Sequence, residues 1–189
     1  MMPIAPLMIE HRLIERVIDL LKEALREAEQ EQRVNPRFVE HATRFVREYA
    51  DRCHHGKEED ILFRELGKKP MTEGHLRIMA ELVQDHRWGR KTTRSLVAAN
   101  RRYEQGDTRA LYEVTEHIRS LVDFYPRHIE KEDKGFFLPV MKYFSDEEKD
   151  RMLKEEHAFD SDLLHEEWDE LVSSLEGGPR SGEKAASGG

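Results

Sequence analysis

Three features of the 189-residue sequence predict an all-helical fold: an up-down-up-down four-helix bundle with one additional helix at the C-terminus. Apolar residues return every three or four positions over long stretches, whereas the alternation and β-branched runs of strands are missing. Start and stop residues divide the chain into long helices whose short connections make neighbours antiparallel. The chain also repeats itself. His11 and His54 are followed by His86 and His128 at offsets of 75 and 74 residues, so it reads as two related halves.

The first helix is expected over residues 7–32, with Leu13, Val17, Leu20, Leu21 and Leu25 on its inner stripe. Asn35-Pro36 gives an N-cap followed by proline at the first helical position, so a second helix covers 36–66 and ends at Gly67-Lys68-Lys69-Pro70. A third begins near Thr72, lasts to Glu104 and is closed by Gly106. Asp107 is expected to cap the fourth, which extends to about Phe144. Ser145-Asp146-Glu147-Glu148 reads as a capping box opening the fifth, which carries Met152, Phe159, Leu163, Leu164, Trp168 and Leu171. The resulting organisation is a bundle over 1–144, a helix packing on it over 145–175 and a flexible Gly/Ser-rich tail over 176–189.

A net charge of -8, with 37% of residues charged, argues against a nucleic-acid or anionic-membrane surface. A small-molecule ligand is the expected partner; a protein partner or homo-oligomer is left open. No apolar run approaches the ~20 residues of a membrane span, and the first residues lack the pattern of a secretory signal. Cys53 is the only cysteine, which excludes an internal disulfide and favours a reducing compartment, hence a cytoplasmic location.

Counting residues from the expected turns brings His11, His54, His86 and His128 to one level of the bundle. Positions i and i+4 share a helix face, so His54 with Glu58 and His128 with Glu132 each present an imidazole and a carboxylate inward. Such groups are costly in a core unless paired or coordinated. Four nitrogens and four carboxylate oxygens suffice for two ions, with both glutamates bridging, a solvent-derived bridge and one open position on each ion. Mixed nitrogen and oxygen ligation without thiolate fits iron or manganese better than structural zinc.

Other residues read more plainly. His55 and Glu59 form a competing i+4 pair, but Ile129 stands at the repeat position of His55, which places His55 on the flank or just behind the ligands. Only one of these two faces is expected to point inward. Glu15, four residues after His11, is expected as a solvated charge with a ligand role as the alternative, and Asp133 is an alternative bridge to Glu132. Pro126 and Gly56 are read either as helix-opening or as tolerated. Leu62-Phe63 and Phe136-Phe137 should form a dry wall, Tyr49, Tyr125 and Trp88 should pack nearby, and Cys53 should be a small buried hydrophobe. His41, His75, His117 and His165 are expected at the surface, while His157 reaches the site only if the fifth helix folds over its mouth.

His11, His54-His55-Gly56-Lys57-Glu58-Glu59, His86 and His128-Ile129-Glu130-Lys131-Glu132-Asp133 together resemble the hemerythrin-like HHE cation-binding domain, over roughly residues 7–144. The resemblance implies a bundle of hemerythrin type around a non-haem di-iron centre, Fe-O-Fe or hydroxo-bridged. It places His11, His54, Glu58, His86, His128 and Glu132 at the ligand positions. Oxygen-carrying hemerythrins have a further histidine four residues from the third-helix ligand and an aspartate five residues after the fourth-helix ligand. Here Arg90 takes the first position and Asp133 the second, so the pattern is more similar to the four-histidine, two-glutamate members than to an oxygen carrier.

Two functions follow as expectations. In the first, two iron ions, or manganese or zinc in their place, react with or sense oxygen, peroxide or nitric oxide. In the second, iron or oxygen occupancy changes the packing of the fifth helix and so a protein contact, without turnover. A helical scaffold with an incidental metal is the plainest alternative.

Overall fold

The computed structural model describes residues 2–160 and 165–178, without the side chains of 165 and 166. Every regular element among them is helical. No helix among them is long and apolar enough to cross a membrane.

Helix α1 spans Ile4–Glu31 and buries Leu13, Val17, Leu20, Leu21 and Leu25 as its apolar stripe requires. It starts earlier than expected because Ile4 and Leu7 also find apolar partners. Helix α2 is one rod made of Pro36–Phe45, Val46–His54, His55–Lys57, Glu58–Phe63 and Arg64–Leu66. The Asn35 side chain accepts hydrogen bonds from the backbone N–H groups of Arg37 at 3.1 Å and Phe38 at 3.4 Å. Helix α3 is Glu73–Glu104, capped by the Thr72 hydroxyl, and the chain leaves it through Gly106, whose φ of 97° favours glycine.

Helix α4 comprises Ala110–Glu130, Lys131–Phe136 and Phe137–Val140, followed by a single tight turn, Met141–Tyr143. The expectation that Asp107 caps it is corrected: Asp107 instead accepts from the Arg109 N–H at 3.3 Å within the connecting turn, and the helix begins at Ala110. Ser145 and Glu148 do form the reciprocal box, at 2.9 and 3.3 Å, opening α5, Asp146–Asp160. A further helix, α6, spans His165–Gly177, two residues past the expected end. Residues 161–164, including Leu163 and Leu164, and the tail from 179 lie outside the described residues.

The segments Val46–His54, Glu58–Phe63 and Lys131–Phe136 are π-helical. Such wide turns shift the register of all that follows and gather at functional sites. Here they hold or border His54, Glu58 and Glu132.

The apolar core comes in two parts. One contains Leu13, Val17, Tyr49, Leu96, Ile118 and Tyr125. The other contains Leu7, Leu62, Phe63, Leu82, Phe136 and Phe137. Along α1 to α4 the residues between these parts include Glu10, His11, His54, Glu58, His86, His128 and Glu132, all buried. A polar layer thus lies between two dry plugs.

Helix α5 lies along the outer face of α2. Phe159 packs so closely on Gly56 that a Cβ there would lie 2.9 Å from its Cζ, which gives this glycine a packing reason. Glu155 pairs with Arg64 at 2.8 Å and Glu148 with Lys69 at 2.6 Å. Further on, Trp168 of α6 packs edge-on against Phe45, and Arg16 pairs with Asp169 and Glu176.

Glu156 points inward, and neither carboxylate oxygen has a hydrogen-bond partner among the described residues. Burial raises its pKa to about 8. An acid titrating higher in the folded than in the unfolded chain costs nothing below its unfolded pKa, and the cost grows as pH rises through 8. Glu156→Gln is therefore expected to stabilise the chain by roughly 2–4 kcal/mol at pH 9 and little at pH 4.5. Urea denaturation at the two pH values checks this, and an equal change at both would place the carboxyl in water.

Candidate metal centre

The four helices bring His11, His54, Glu58, His86, His128 and Glu132 together, each 2% exposed or less. Glu58 lies with Oε1 3.4 Å from His54 Nε2 and Oε2 3.2 Å from His86 Nε2. Glu132 mirrors it: Oε2 is 3.3 Å from His11 Nε2, and Oε1 is 3.2 Å from His128 Nε2 and 3.6 Å from His86 Nε2. The ligand atoms of His11, His54, Glu58 and Glu132 lie within 4.8 Å of one another; those of His55, His86 and His128 form a second such group.

All four Nε2 atoms and all four oxygens of Glu58 and Glu132 are buried without a hydrogen-bond partner among the described residues. Among the described residues only Asn100 Oδ1 and the two oxygens of Glu156 share that condition. Buried polar atoms left unsatisfied cost about 1–3 kcal/mol each, so eight converging on one space is a cluster that calls for a cation. The donor set, four imidazole nitrogens and two carboxylates, fits first-row transition metals.

The other nitrogen of each ring is held by a carboxylate. His11 Nδ1 meets Asp133 Oδ1 at 2.8 Å, His54 Nδ1 meets Glu10 Oε2 at 2.9 Å, and His86 Nδ1 meets Glu59 Oε1 at 2.7 Å. His128 Nδ1 lies 3.4 Å from Asp85 Oδ2. These contacts turn Nε2 of each ring toward the centre, as carboxylates behind metal-bound histidines do. The repeat extends to them. The acid before His11 serves His54 and the acid before His86 serves His128, while the acids after Glu58 and Glu132 serve His86 and His11. Glu10 and Asp85 carry no such role in the sequence reading, although an acid preceding the histidine in both copies was a usable signal.

The carboxylates are themselves anchored. Arg12 binds Asp133 at 2.6 Å, Lys131 binds Asp85 at 2.7 Å, and Arg90 binds Glu59 at 2.7 Å. Lys57, fully buried, donates to Glu10 and reaches Asp160 of α5 at 2.7 Å. Burial opposes the charge on Glu59, but hydrogen bonds from His86 and Arg90 hold its pKa down at about 2. Burial likewise opposes the charges on Glu10 and Asp85. His54 and Lys57 lower the first, and His128 and Lys131 the second.

One sequence expectation needs correction, that only one face of α2 points inward, and the open alternatives are resolved. His54 and His55 are not alternatives, because α2 is covered on both sides and both are buried. His55 stacks on His86 at 3.9 Å and 12°, with Nδ1 3.4 Å from Asp51; burial and the neighbouring His86 and His128 push its pKa well below the usual value, so the ring is neutral. Asp133 stands behind His11 rather than in Glu132's place. Glu15 is the surface charge expected of it, paired with Arg12 at 2.9 Å, and His157 is exposed while Glu156 beside it turns inward.

The remaining residues fall as follows. His41 is exposed and His117 half-buried; His75 is half-buried with Nδ1 2.8 Å from the Tyr143 hydroxyl; the side chain of His165 lies outside the described residues. Phe137 stacks on His11 and Phe63 on His86, forming the dry wall. Tyr49 and Tyr125 are core, and Trp88 is 41% exposed against Phe124. The helix runs through Pro126. Cys53 is buried with its thiol 3.5 Å from Asp160, and burial raises its pKa to about 12, which makes it unreactive.

The family model described as hemerythrin HHE cation binding domain matches residues 2–139. No curated relative and no solved structure matches the chain.

Proposed function

Because the chain belongs to the hemerythrin HHE cation-binding domain family, we propose that it is a non-haem di-iron protein that reacts with or senses a small oxidant. His11 and His54 would hold one ion and His86 and His128 the other, with Glu58 and Glu132 shared between them. The observation that carries this is the set of eight converging, partnerless donor atoms. The antiparallel pairing it requires, in an up-down-up-down bundle, is supported by cross-helix bonds. Asn100 reaches the Pro36 carbonyl while Arg90 reaches Asp51, and Arg102 pairs with Glu113 while Lys131 pairs with Asp85.

Two iron ions in this site would supply ferrous–ferric electron exchange with oxygen, peroxide or nitric oxide. The chain's own residues do the rest. Asp133, Glu10, Glu59 and Asp85 fix the orientation of the imidazoles, and Phe63 and Phe137, with Leu62 and Phe136 of the same core part, exclude water. Asp133→Ala is expected to weaken metal binding ten- to a hundredfold, read by competition with a chelator. Unchanged affinity would mean that packing alone orients His11.

A second reading, a responsive module without turnover, is favoured by one chain of contacts. His54 leans on Glu10, Glu10 on Lys57, and Lys57 on Asp160 of α5. Occupancy at His54 is thereby linked to the seat of α5. Metal analysis and stopped-flow spectroscopy under oxygen, peroxide and nitric oxide decide between the readings. Purified chain carrying about two irons and consuming one of these at turnover supports the enzyme. Stoichiometric reaction with a change in oligomer state or partner binding supports the module, and chain that takes up no iron refutes both.

A further inference from the structure

Between α2 and α3 lies a cavity of about 460 Å³. Its floor is the buried pair His55 and Tyr125, and part of its wall is small or apolar, Val46, Gly89 and Val97. Around this rise Arg47, Arg52, Arg90, Arg94 and Arg101. Against five guanidinium groups the lining offers two carboxylates, Glu48 and Asp51, in a chain whose net charge is -8. Composition therefore does not explain the excess.

The two carboxylates are already engaged. Asp51 is bound by Arg90 Nε at 2.5 Å. Glu48 lies 3.5 Å from Arg52 and 3.9 Å from Arg47, so it serves both. Arg94 and Arg101 have no ion pair within 4 Å among the described residues. Like charges gathered round a partly enclosed hollow repel one another and focus a positive potential into it. The guanidinium fork matches carboxylate and phosphate oxygens two at a time. We infer that this cavity binds a small organic anion carrying phosphate or carboxylate groups, with Arg94 and Arg101 as its principal contacts and Val46 and Val97 against its carbon skeleton.

The cavity also adjoins the polar layer. Arg90, where oxygen carriers of the family have a histidine, spans from Asp51 to Glu59. The Glu59 oxygen it binds at 2.7 Å is the one that meets His86 Nδ1 at 2.7 Å. His55 on the floor stacks directly on His86. An anion that draws Arg90 toward itself loosens its hold on Glu59 and changes the electron donation of the His86 ring. This coupling, unlike the binding, rests on His86 being a metal ligand.

Calorimetric titration of the purified full chain with inorganic phosphate, glycerol 3-phosphate and succinate tests the site and separates phosphate from carboxylate. Saturable binding of one equivalent of an organic probe is expected. The double variant Arg94→Gln/Arg101→Gln should weaken it by about tenfold or more, as loss of charged hydrogen bonds does. The double variant Arg26→Gln/Arg87→Gln, which removes the same charge from exposed positions elsewhere, should leave it unchanged. Absence of saturable heat with all three probes, or equal weakening in both double variants, overturns the proposal. With iron-loaded chain the bound anion should shift the visible spectrum. Saturable binding without a shift overturns the coupling alone, and failure to load iron counts against the metal reading while the calorimetry still decides the cavity.

Discussion

Glu132→Gln is expected to take the iron content of the purified chain from the proposed two ions to below about one, with Glu58→Gln doing the same. Both oxygens of Glu132 face imidazole nitrogens, one toward His11 and one toward His128 and His86, so the residue serves both halves of the layer. An amide keeps the shape but turns one of those oxygens into an NH₂ group, which cannot ligate and aims its hydrogens at the space a cation should fill. The loss should therefore exceed the ten- to hundredfold weakening expected of Asp133→Ala, which touches the centre only through His11. Metal analysis after loading with ferrous iron gives the stoichiometry, and circular dichroism shows whether the helices persist. A folded Glu132→Gln chain that still holds two ions would remove Glu132 from the centre.

The convergence of the six residues was legible because it depended on two simple regularities, the i,i+4 spacing of histidine and glutamate and a repeat at offsets of 75 and 74 residues. Caps at Asn35 and Ser145 were legible for a similar reason, since their bonds are made within four residues. What escaped depended on distance along the chain or on departures from regular periodicity. The π-helical turns around His54, Glu58 and Glu132 have no apolar rhythm of their own, and a reading on a period of 3.6 cannot place both His54 and His55 inside. Their joint burial comes from neighbours on different helices, His11 of α1 against His54 and His86 of α3 against His55. The carboxylates behind the rings were hidden by a crossover. Each acid stands next to one ligand in sequence and serves another, 44 residues away for Glu10 and His54.

Metal binding should expel protons, and the two states of the chain should respond to pH in opposite directions. Burial opposes charge on His11, but the hydrogen bond to Asp133 and the charge of Glu132 raise it to about 10 in the metal-free chain. Burial also opposes charge on His86, yet Glu132, Glu58 and Glu59 raise it to about 11. At pH 7 both rings therefore hold a proton that a metal at Nε2 must displace. Calorimetry in buffers of different ionisation enthalpy should report up to about two protons released per loaded centre, and affinity should climb by up to about a hundredfold per pH unit near neutrality. The stability of the metal-free chain runs the other way. A histidine with a raised folded pKa contributes fully below its unfolded pKa of 6.5, and the contribution is lost as pH rises through about 10 and 11. The gap between the thermal midpoints of loaded and metal-free chain should thus widen from pH 6 to pH 9. Metal uptake without proton release, or parallel pH profiles for the two states, would mean that neither ring is charged in the empty chain, and that the carboxylates facing them are neutralised by something else.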